Sequence, residues 1–230
     1  ITSISASDQA ITVGFTAPGF AGGVPITAYR ITATPTGGGT AVTTTACTST
    51  PCTISGLTNG TVYTVTVAAI NSAGTGADST ASGQLTPATN AFAVGSLAAT
   101  PGDTTVTVTW TVPTNLGGGT FTRYDLYYKS ASAGSYGSAI AINTSGTTSY
   151  IVTGLDNGTS YDFKVVTITS ANGSEIPGNT AEVVQYPSTV PSSPRTLTVL
   201  ASTATDVQFS WAAPLSDGGS SLTVPNYTVT

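Results

Sequence analysis

An internal repeat with a spacing of about 100 residues decides which architectures are open to this chain. Three segments end an alternating run with a large aromatic residue and place a proline three positions later. Because proline cannot donate to a β-ladder, each proline marks the end of a strand. A glycine-rich loop and a second aromatic-anchored strand follow each time, so the sequence predicts three copies of one unit. The landmarks are Phe15 to Pro18, Trp110 to Pro113 and Trp211 to Pro214.

The composition predicts an all-β protein. About one residue in five is Thr, Met is absent, and the 230 residues include 26 Gly and 13 Pro. Thr favours strands, whereas Gly and Pro interrupt helices. Only 7% of the residues are charged, against roughly 25% in ordinary soluble domains. Hydroxyl and backbone groups must therefore bind water over much of the surface.

Composition also excludes several classes of function. The chain has no His and two Cys, which removes the commonest general base and the usual sets of metal ligands. Its net charge of -5 disfavours binding to phosphate backbones and anionic lipids. Apolar runs are too short for a membrane-spanning helix. We therefore expect no enzymatic activity, no cofactor or metal, no nucleic acid and no membrane insertion.

The first two repeats share another landmark, in which an Asn-Gly pair precedes a tyrosine. The segments from Gly56 to Tyr63 and from Gly154 to Tyr161 read GLTNGTVY and GLDNGTSY. Asn-Gly favours a tight turn, and each tyrosine begins a run of alternating apolar and polar residues, typical of an antiparallel sheet packed on one face. Seven short strands per repeat fit a two-sheet sandwich.

On these landmarks the chain resembles the fibronectin type III family over essentially its whole length, and its Thr-rich, Lys-poor style is typical of microbial or phage-like modules. The resemblance implies an all-β fold of tandem immunoglobulin-like, seven-stranded β-sandwiches with an incomplete third repeat. Phe15 stands where the family usually has Trp. The resemblance also implies tyrosine corners, in which Tyr63 and Tyr161 bond to backbone a few residues upstream. The expected core residues are Phe15, Tyr29, Leu57, Tyr63, Trp110, Tyr124, Leu155, Tyr161 and Trp211.

Prolines and small residues predict the domain boundaries. We expect domains at 1–86 and 87–186, followed at 187–230 by a linker and the first three strands of a truncated third domain. The Pro-rich segment from Pro187 to Pro194 favours an extended connection, which predicts a rod.

Three strands cannot close a sandwich, so the third repeat is expected to leave an apolar face open. Either the chain continues beyond Thr230, which we favour, or another molecule donates strands. The third strand is expected between Leu222 and Tyr227. The residues on the open face would be Val207, Phe209, Trp211, Tyr227 and Val229.

Two further features concern possible sites. Cys47 and Cys52 enclose a four-residue turn between the fourth and fifth expected strands, which predicts a disulfide worth about 2 kcal/mol and an oxidising compartment.

In the second domain, Tyr127, Val166 and Ile168 are expected to lie exposed on one sheet face. That face is either an ordinary solvated sheet or a lateral contact surface. Asn-x-Ser/Thr sequons occur at Asn59, Asn143, Asn157, Asn172 and Asn226.

These observations lead to one expected function and two alternatives. We expect a non-catalytic, extracellular structural or adhesive rod section of a larger surface protein, appendage or virion fibre. The alternatives are spacer modules of a secreted polysaccharide-degrading enzyme and a receptor-type binding module. Expected partners are proteins or further copies, through sheet faces, loops or the incomplete third repeat, with polysaccharide or a cell surface as alternatives. The expected location is extracellular, on a cell or virion surface.

Overall fold

The structure is a computed structural model that describes residues 1–219, and every regular element in that range is a β-strand. The predicted all-β fold of tandem sandwiches is confirmed. Within the same range, no helix is long and apolar enough to cross a membrane.

The first repeat contains seven strands in two antiparallel sheets, ordered β1-β2-β5 and β4-β3-β6-β7. In β6 the buried residues Tyr63, Val65 and Val67 alternate with half-exposed threonines, because successive side chains of a strand point to opposite faces. The inward residues of both sheets form one core cluster that includes Ile11 and Ile31. The strands are β1 (Ser3–Ser7), β2 (Ala10–Gly14), β3 (Ile26–Pro35), β4 (Val42–Cys47), β5 (Cys52–Ser55), β6 (Tyr63–Asn71) and β7 (Gly74–Thr75).

The second repeat has the same order of strands, with sheets β12-β9-β8 and β11-β10-β13-β14. Valines and Trp110 alternate with half-exposed threonines along β9. Tyr128 stacks on Phe163 with ring centroids 6.2 Å apart. The strands are β8 (Gly95–Gly102), β9 (Thr105–Thr111), β10 (Thr120–Ser130), β11 (Ile140–Ile142), β12 (Ser149–Thr153), β13 (Tyr161–Ala171) and β14 (Ser174–Gln185).

The described part of the third repeat is an antiparallel pair, β15 (Arg195–Ser202) and β16 (Val207–Ala212). Val207 is exposed, while Phe209 and Trp211 are half-buried. The predicted third strand, with Tyr227 and Val229, lies outside the described residues.

Internal contacts divide the chain into two compact units. The predicted domain boundaries at 86/87 and 186/187 stay predictions. One unit comprises Ile1–Ala93, Pro113–Tyr124 and Val166–Asn179, and the other comprises Val94–Val112, Asp125–Val165 and the chain from Thr180 onward.

Candidate functional site

The aromatic and leucine residues singled out in the sequence lie in the interior of the sandwiches. Phe15 packs against Tyr29 with ring centroids 4.6 Å apart. Trp211 differs from the others because it is half-buried. These side chains are scaffold for the loops described below. The fully interior members are Phe15, Tyr29, Leu57, Tyr63, Trp110, Tyr124, Leu155 and Tyr161.

Each tyrosine that follows an Asn-Gly turn holds that turn with its hydroxyl group. The Tyr63 hydroxyl accepts a hydrogen bond of 3.1 Å from the backbone N–H of Thr58. The Tyr161 hydroxyl accepts the equivalent bond, also 3.1 Å, from the N–H of Asp156. Each bond therefore ties its turn to a buried tyrosine five residues downstream.

The asparagine of each turn is held by the tip of the first hairpin in its repeat. Oδ1 of Asn59 accepts a hydrogen bond of 2.8 Å from the N–H of Gln9, and its Nδ2 donates to Asp8 at 2.7 Å. Gln9 has a φ of 53°, an uncommon conformation for a residue with a side chain. Asn157 bonds in the same way to Thr104 and Asp103. The asparagines of these two sequons therefore hold the hairpin tips against the turns.

The glycine of the first turn is the centre of a junction between two repeats, and all atoms of this junction belong to the first compact unit. The N–H of Gly60 donates to the carbonyl of Pro87 at 2.9 Å. On its other side, Gly60 approaches the backbone of Gly118. A Cβ atom added to Gly118 would lie 2.6 Å from the carbonyl carbon of Asn59 and closer still to the Gly60 nitrogen. Only glycine at position 118 permits this approach.

The linker between the first two repeats, residues 86–93, lies between the bridge at Leu85 and strand β8 and is bound by the loop that contains Gly118. The N–H of Thr89 donates to the carbonyl of Gly117, and the N–H of Phe92 donates to the carbonyl of Asn115, both at 2.9 Å. Ala91, which is fully buried, accepts from the N–H of Asn179 at 2.9 Å. The linker is thus hydrogen-bonded along its length to the loop that contains Gly118 and to strand β14 of the second repeat.

Asn172 binds the same linker from the turn between β13 and β14. Its Oδ1 accepts from the N–H of Thr86 at 2.8 Å, and its Nδ2 donates to the Thr86 carbonyl at 2.9 Å. Asn172 has a φ of 52°, which asparagine tolerates better than most residues. The side chain therefore pairs with both polar backbone groups of one linker residue.

The same arrangement recurs within the second compact unit. The N–H of Gly158 donates to Pro187 at 2.9 Å, and the N–H of Thr189 donates to Gly218 at 2.8 Å. A Cβ atom on Gly219 would lie 2.8 Å from the carbonyl carbon of Asn157. Two junctions with the same backbone contacts show that the Asn-Gly turn and the Gly-Gly loop form a matched pair.

Sequence reasoning recognised the glycine-rich loops and the Asn-Gly turns but not their contact. A signal was present, because each of the three repeats carries a Gly-Gly pair in the loop after its first proline landmark. Those pairs are Gly22-Gly23, Gly117-Gly118 and Gly218-Gly219.

The predicted disulfide is present between Cys47 and Cys52. It joins the end of β4 to the start of β5, and these strands belong to different sheets. The bond therefore links the two sheets of the first sandwich at this edge.

The expected lateral face of the second repeat differs from the prediction. Val166 and Ile168 are buried, at 7% and 4% exposure, so the expectation that they are exposed is wrong. They lie on β13, an interior strand whose residues 165–169 are all buried, so both faces of the strand are covered along this stretch. Tyr127 is half-buried, and its ring lies 4.7 Å from Nζ of Lys164.

Charged groups and tyrosines near Tyr127 form a local cluster. Nζ of Lys164 also lies 4.2 Å from the ring of Tyr136, and Lys129 forms an ion pair of 3.4 Å with Asp162. Burial, followed by the nearby charges of Glu182 and Asp162, raises the pKa of Tyr136 above its usual value. Each cation is thus satisfied by rings or a carboxylate of the same cluster. Within residues 1–219, no group of three or more His, Cys, Asp or Glu could hold a metal ion.

Comparisons with known proteins agree with these landmarks. The family model of the fibronectin type III domain matches residues 1–84 and 93–183. A two-domain fibronectin type III segment from chicken tenascin is 16% identical, with a TM-score of 0.43, and the match covers 80% of this chain and 96% of that chain. The FN1–FN3 domains of chicken CNTN1 are 19% identical, with a TM-score of 0.41, over 90% of this chain and 72% of that chain. No curated protein matches the chain.

Proposed function

Because the chain belongs to the fibronectin type III family, we propose that it is a non-catalytic structural or adhesive section of a larger extracellular protein, such as a surface protein, an appendage or a virion fibre. Type III domains are modules, and a fold alone does not assign a task. The proposal therefore depends on what the described residues can do, and its partners would be proteins or further repeats.

The observation that carries the proposal is the junction at Gly60 and Gly118. Its contacts are made by backbone atoms, so no flexible side chain separates the turn from the loop. The Gly60–Pro87 hydrogen bond and the two bonds from Asn172 to Thr86 each contribute about 0.5 to 1.5 kcal/mol. Contacts of this kind suit a spacer whose repeats keep one arrangement under load.

The extracellular location is supported by the Cys47–Cys52 disulfide, because such bonds persist in oxidising compartments and are rare in reducing ones. The low charge content of 7% fits a surface hydrated by hydroxyl groups.

Small-angle X-ray scattering of the chain tests the spacer role. A compact protein of this length has a radius of gyration of about 17 Å, and successive repeats arranged end to end would give a clearly larger value. We expect the larger value, and we expect Gly118→Glu to broaden the distance distribution. Gly38→Glu is the matched control, because Gly38 also has a positive φ, of 91°, and faces open space. A radius near the compact value, or equal curves for wild type and Gly118→Glu, would contradict the proposal.

A further inference from the structure

The first repeat carries the same Gly-Gly loop as the other two, but within residues 1–219 no turn lies against its Gly23. Gly22 and Gly23 have φ values of 78° and 87°, close to the 70° and 86° of Gly117 and Gly118. A Cβ atom on Gly23 would meet nothing within 4 Å. The equivalent atom on Gly118 would collide with the Asn-Gly turn of the repeat before it. The loop therefore has the same shape at Gly23, where no described residue packs against it, as at Gly118.

The equivalence of the two loops follows from the sequence. Phe15 and Trp110 lie 95 positions apart, as do Tyr29 and Tyr124. The same offset relates Phe20 to Asn115 and Gly22 to Gly117, the two residues whose counterparts in the second repeat accept hydrogen bonds from the linker.

Beside the free loop, the first repeat has an open cavity of about 620 Å³. Its lining includes Phe20 and Gly22 from the loop, together with Gly76 and Ala77 from the segment after β7. In the second repeat, the corresponding pair is Gly178 and Asn179. Gly76 corresponds to Gly178 because its N–H donates to the carbonyl of Ala69. Ala69 lies six residues after Tyr63, just as Thr167 lies six residues after Tyr161.

The corresponding space of the second repeat is occupied by the linker. A Cβ atom added to Gly178 would lie 3.1 Å from Cβ of Ala91 and 2.9 Å from the carbonyl of Thr167, the counterpart of Ala69. The N–H of Asn179 donates to Ala91, which has no exposed surface. Three backbone groups that bind the linker in the second repeat, at Asn115, Gly117 and Asn179, thus have counterparts at the cavity of the first, in Phe20, Gly22 and Ala77.

We propose that this cavity and the Gly22-Gly23 loop are a docking site for the end of another type III repeat joined ahead of Ile1. The linker of that repeat would lie in the cavity, and its Asn-Gly turn would contact Gly23. Docking would also cover Phe20, which is 82% exposed at the rim. This inference rests on the proposed function and names the partner that binds the cavity and the Gly22-Gly23 loop.

A repeat joined in the same chain fits this site better than a second copy of the protein. The Asn-Gly turns before Tyr63 and Tyr161 are already in contact with Gly118 and Gly219. The third Asn-Gly pair of the described residues, Asn172-Gly173, is bonded to Thr86. A second copy therefore has no free turn of this kind among residues 1–219 to offer to Gly23.

A tandem duplication tests the proposal. Residues 1–95 are joined directly to Ile1 of the full chain, and the 95-residue offset then places the added linker in the register of the natural junction. Hydrogen exchange is measured at the Thr89 amide of the added copy, whose expected acceptor is the Gly22 carbonyl. Exchange at β6 amides of the original first repeat reports whether that repeat stays folded.

The matched variants are Gly22→Ala and Gly38→Ala in the original copy. A Cβ atom on Gly117 would lie 2.8 Å from the carbonyl of Asn90, so we expect Gly22→Ala to expel the added linker. The exchange of the added Thr89 amide should then be roughly tenfold or more faster than in the parent fusion, whereas Gly38→Ala should leave it unchanged. Gly23→Ala, which blocks the turn instead of the linker, should have the same direction of effect.

Equal exchange rates in the fusion and in both blocking variants would overturn the docking site. Concentration-dependent dimers of the unfused chain that disappear with Gly22→Ala, seen by ultracentrifugation, would instead identify a second copy as the occupant and overturn the proposal. Neither result changes the scattering test of the spacer role, which depends on Gly118.

Discussion

Alanine at position 118 tests the central physical argument, which is that the junction requires glycine because of contact as well as backbone conformation. Gly118 and Gly23 have nearly equal φ values, 86° and 87°. A left-handed conformation costs an ordinary residue about 1 to 2 kcal/mol. Gly23→Ala should therefore cost about that amount and nothing more, because no atom lies within 4 Å of its new Cβ.

Gly118→Ala adds a collision with atoms that cannot rotate away. The new Cβ would lie 2.6 Å from the carbonyl carbon of Asn59, and overpacking of this kind costs about 1 to 3 kcal/mol. If the junction opens instead, the chain loses the hydrogen bond from Gly60 to Pro87, worth about 0.5 to 1.5 kcal/mol. We expect Gly118→Ala to destabilise the junction by about 2 kcal/mol beyond Gly23→Ala.

Native-state hydrogen exchange of the Gly60 amide measures this difference. An added opening free energy of about 2 kcal/mol corresponds to roughly 30-fold faster exchange. The rate should rise in Gly118→Ala and stay at the wild-type value in Gly23→Ala. Equal Gly60 exchange in the two variants would show that the contact read from the backbone does not contribute, and that glycine is needed at 118 for its φ alone.

Three further results are expected. Tyr63→Phe should destabilise the first sandwich by about 0.5 to 1.5 kcal/mol in urea unfolding, because the hydrogen bond from the N–H of Thr58 is lost; an unchanged midpoint would contradict the role of the hydroxyl. Reduction of the disulfide should lower the stability of the first repeat by about 2 kcal/mol, measured by hydrogen exchange of its amides. The second repeat has no cysteine, so its exchange rates should not change and serve as the internal control. The hydrogen bond from Arg123, together with its charge, holds the pKa of Glu175 below its usual 4.5, so this pair stabilises the fold above that pH and the contribution is lost as pH falls through the lowered pKa. Titration by NMR should show the Glu175 pKa rising to its ordinary value in Arg123→Gln, and an unmoved titration would refute the pairing.

The strand pattern could be predicted because it is local. In β6, alternation of apolar residues and threonines decides which side chains face inward, and this holds for whichever sheet the strand joins. The short spacing between Cys47 and Cys52 likewise limits the sulfur atoms to one neighbourhood, so the disulfide could be expected from the sequence. The turn before Tyr63 is local in the same sense, since the tyrosine hydroxyl bonds only five residues upstream.

The exposure of Val166 and Ile168 could not be predicted from alternation. Alternation places them on the face opposite Phe163 and Val165, but contacts made by distant parts of the chain decide whether water reaches that face. The contact between Lys164 and Tyr136 could not be predicted from the sequence either. Tyr136 lies in the loop between β10 and β11, and its ring meets Lys164 only in the folded protein.

The sequence alone determined the kind of element, its period and the aromatic interior of each repeat, because these properties depend on residues a few positions apart. The tertiary structure decided which turn meets which loop. Asn172 and Thr86 are 86 residues apart, and Gly60 contacts Gly118 across an entire linker and strand pair. No local preference encodes such a partner, since glycine permits close approach but does not specify what approaches.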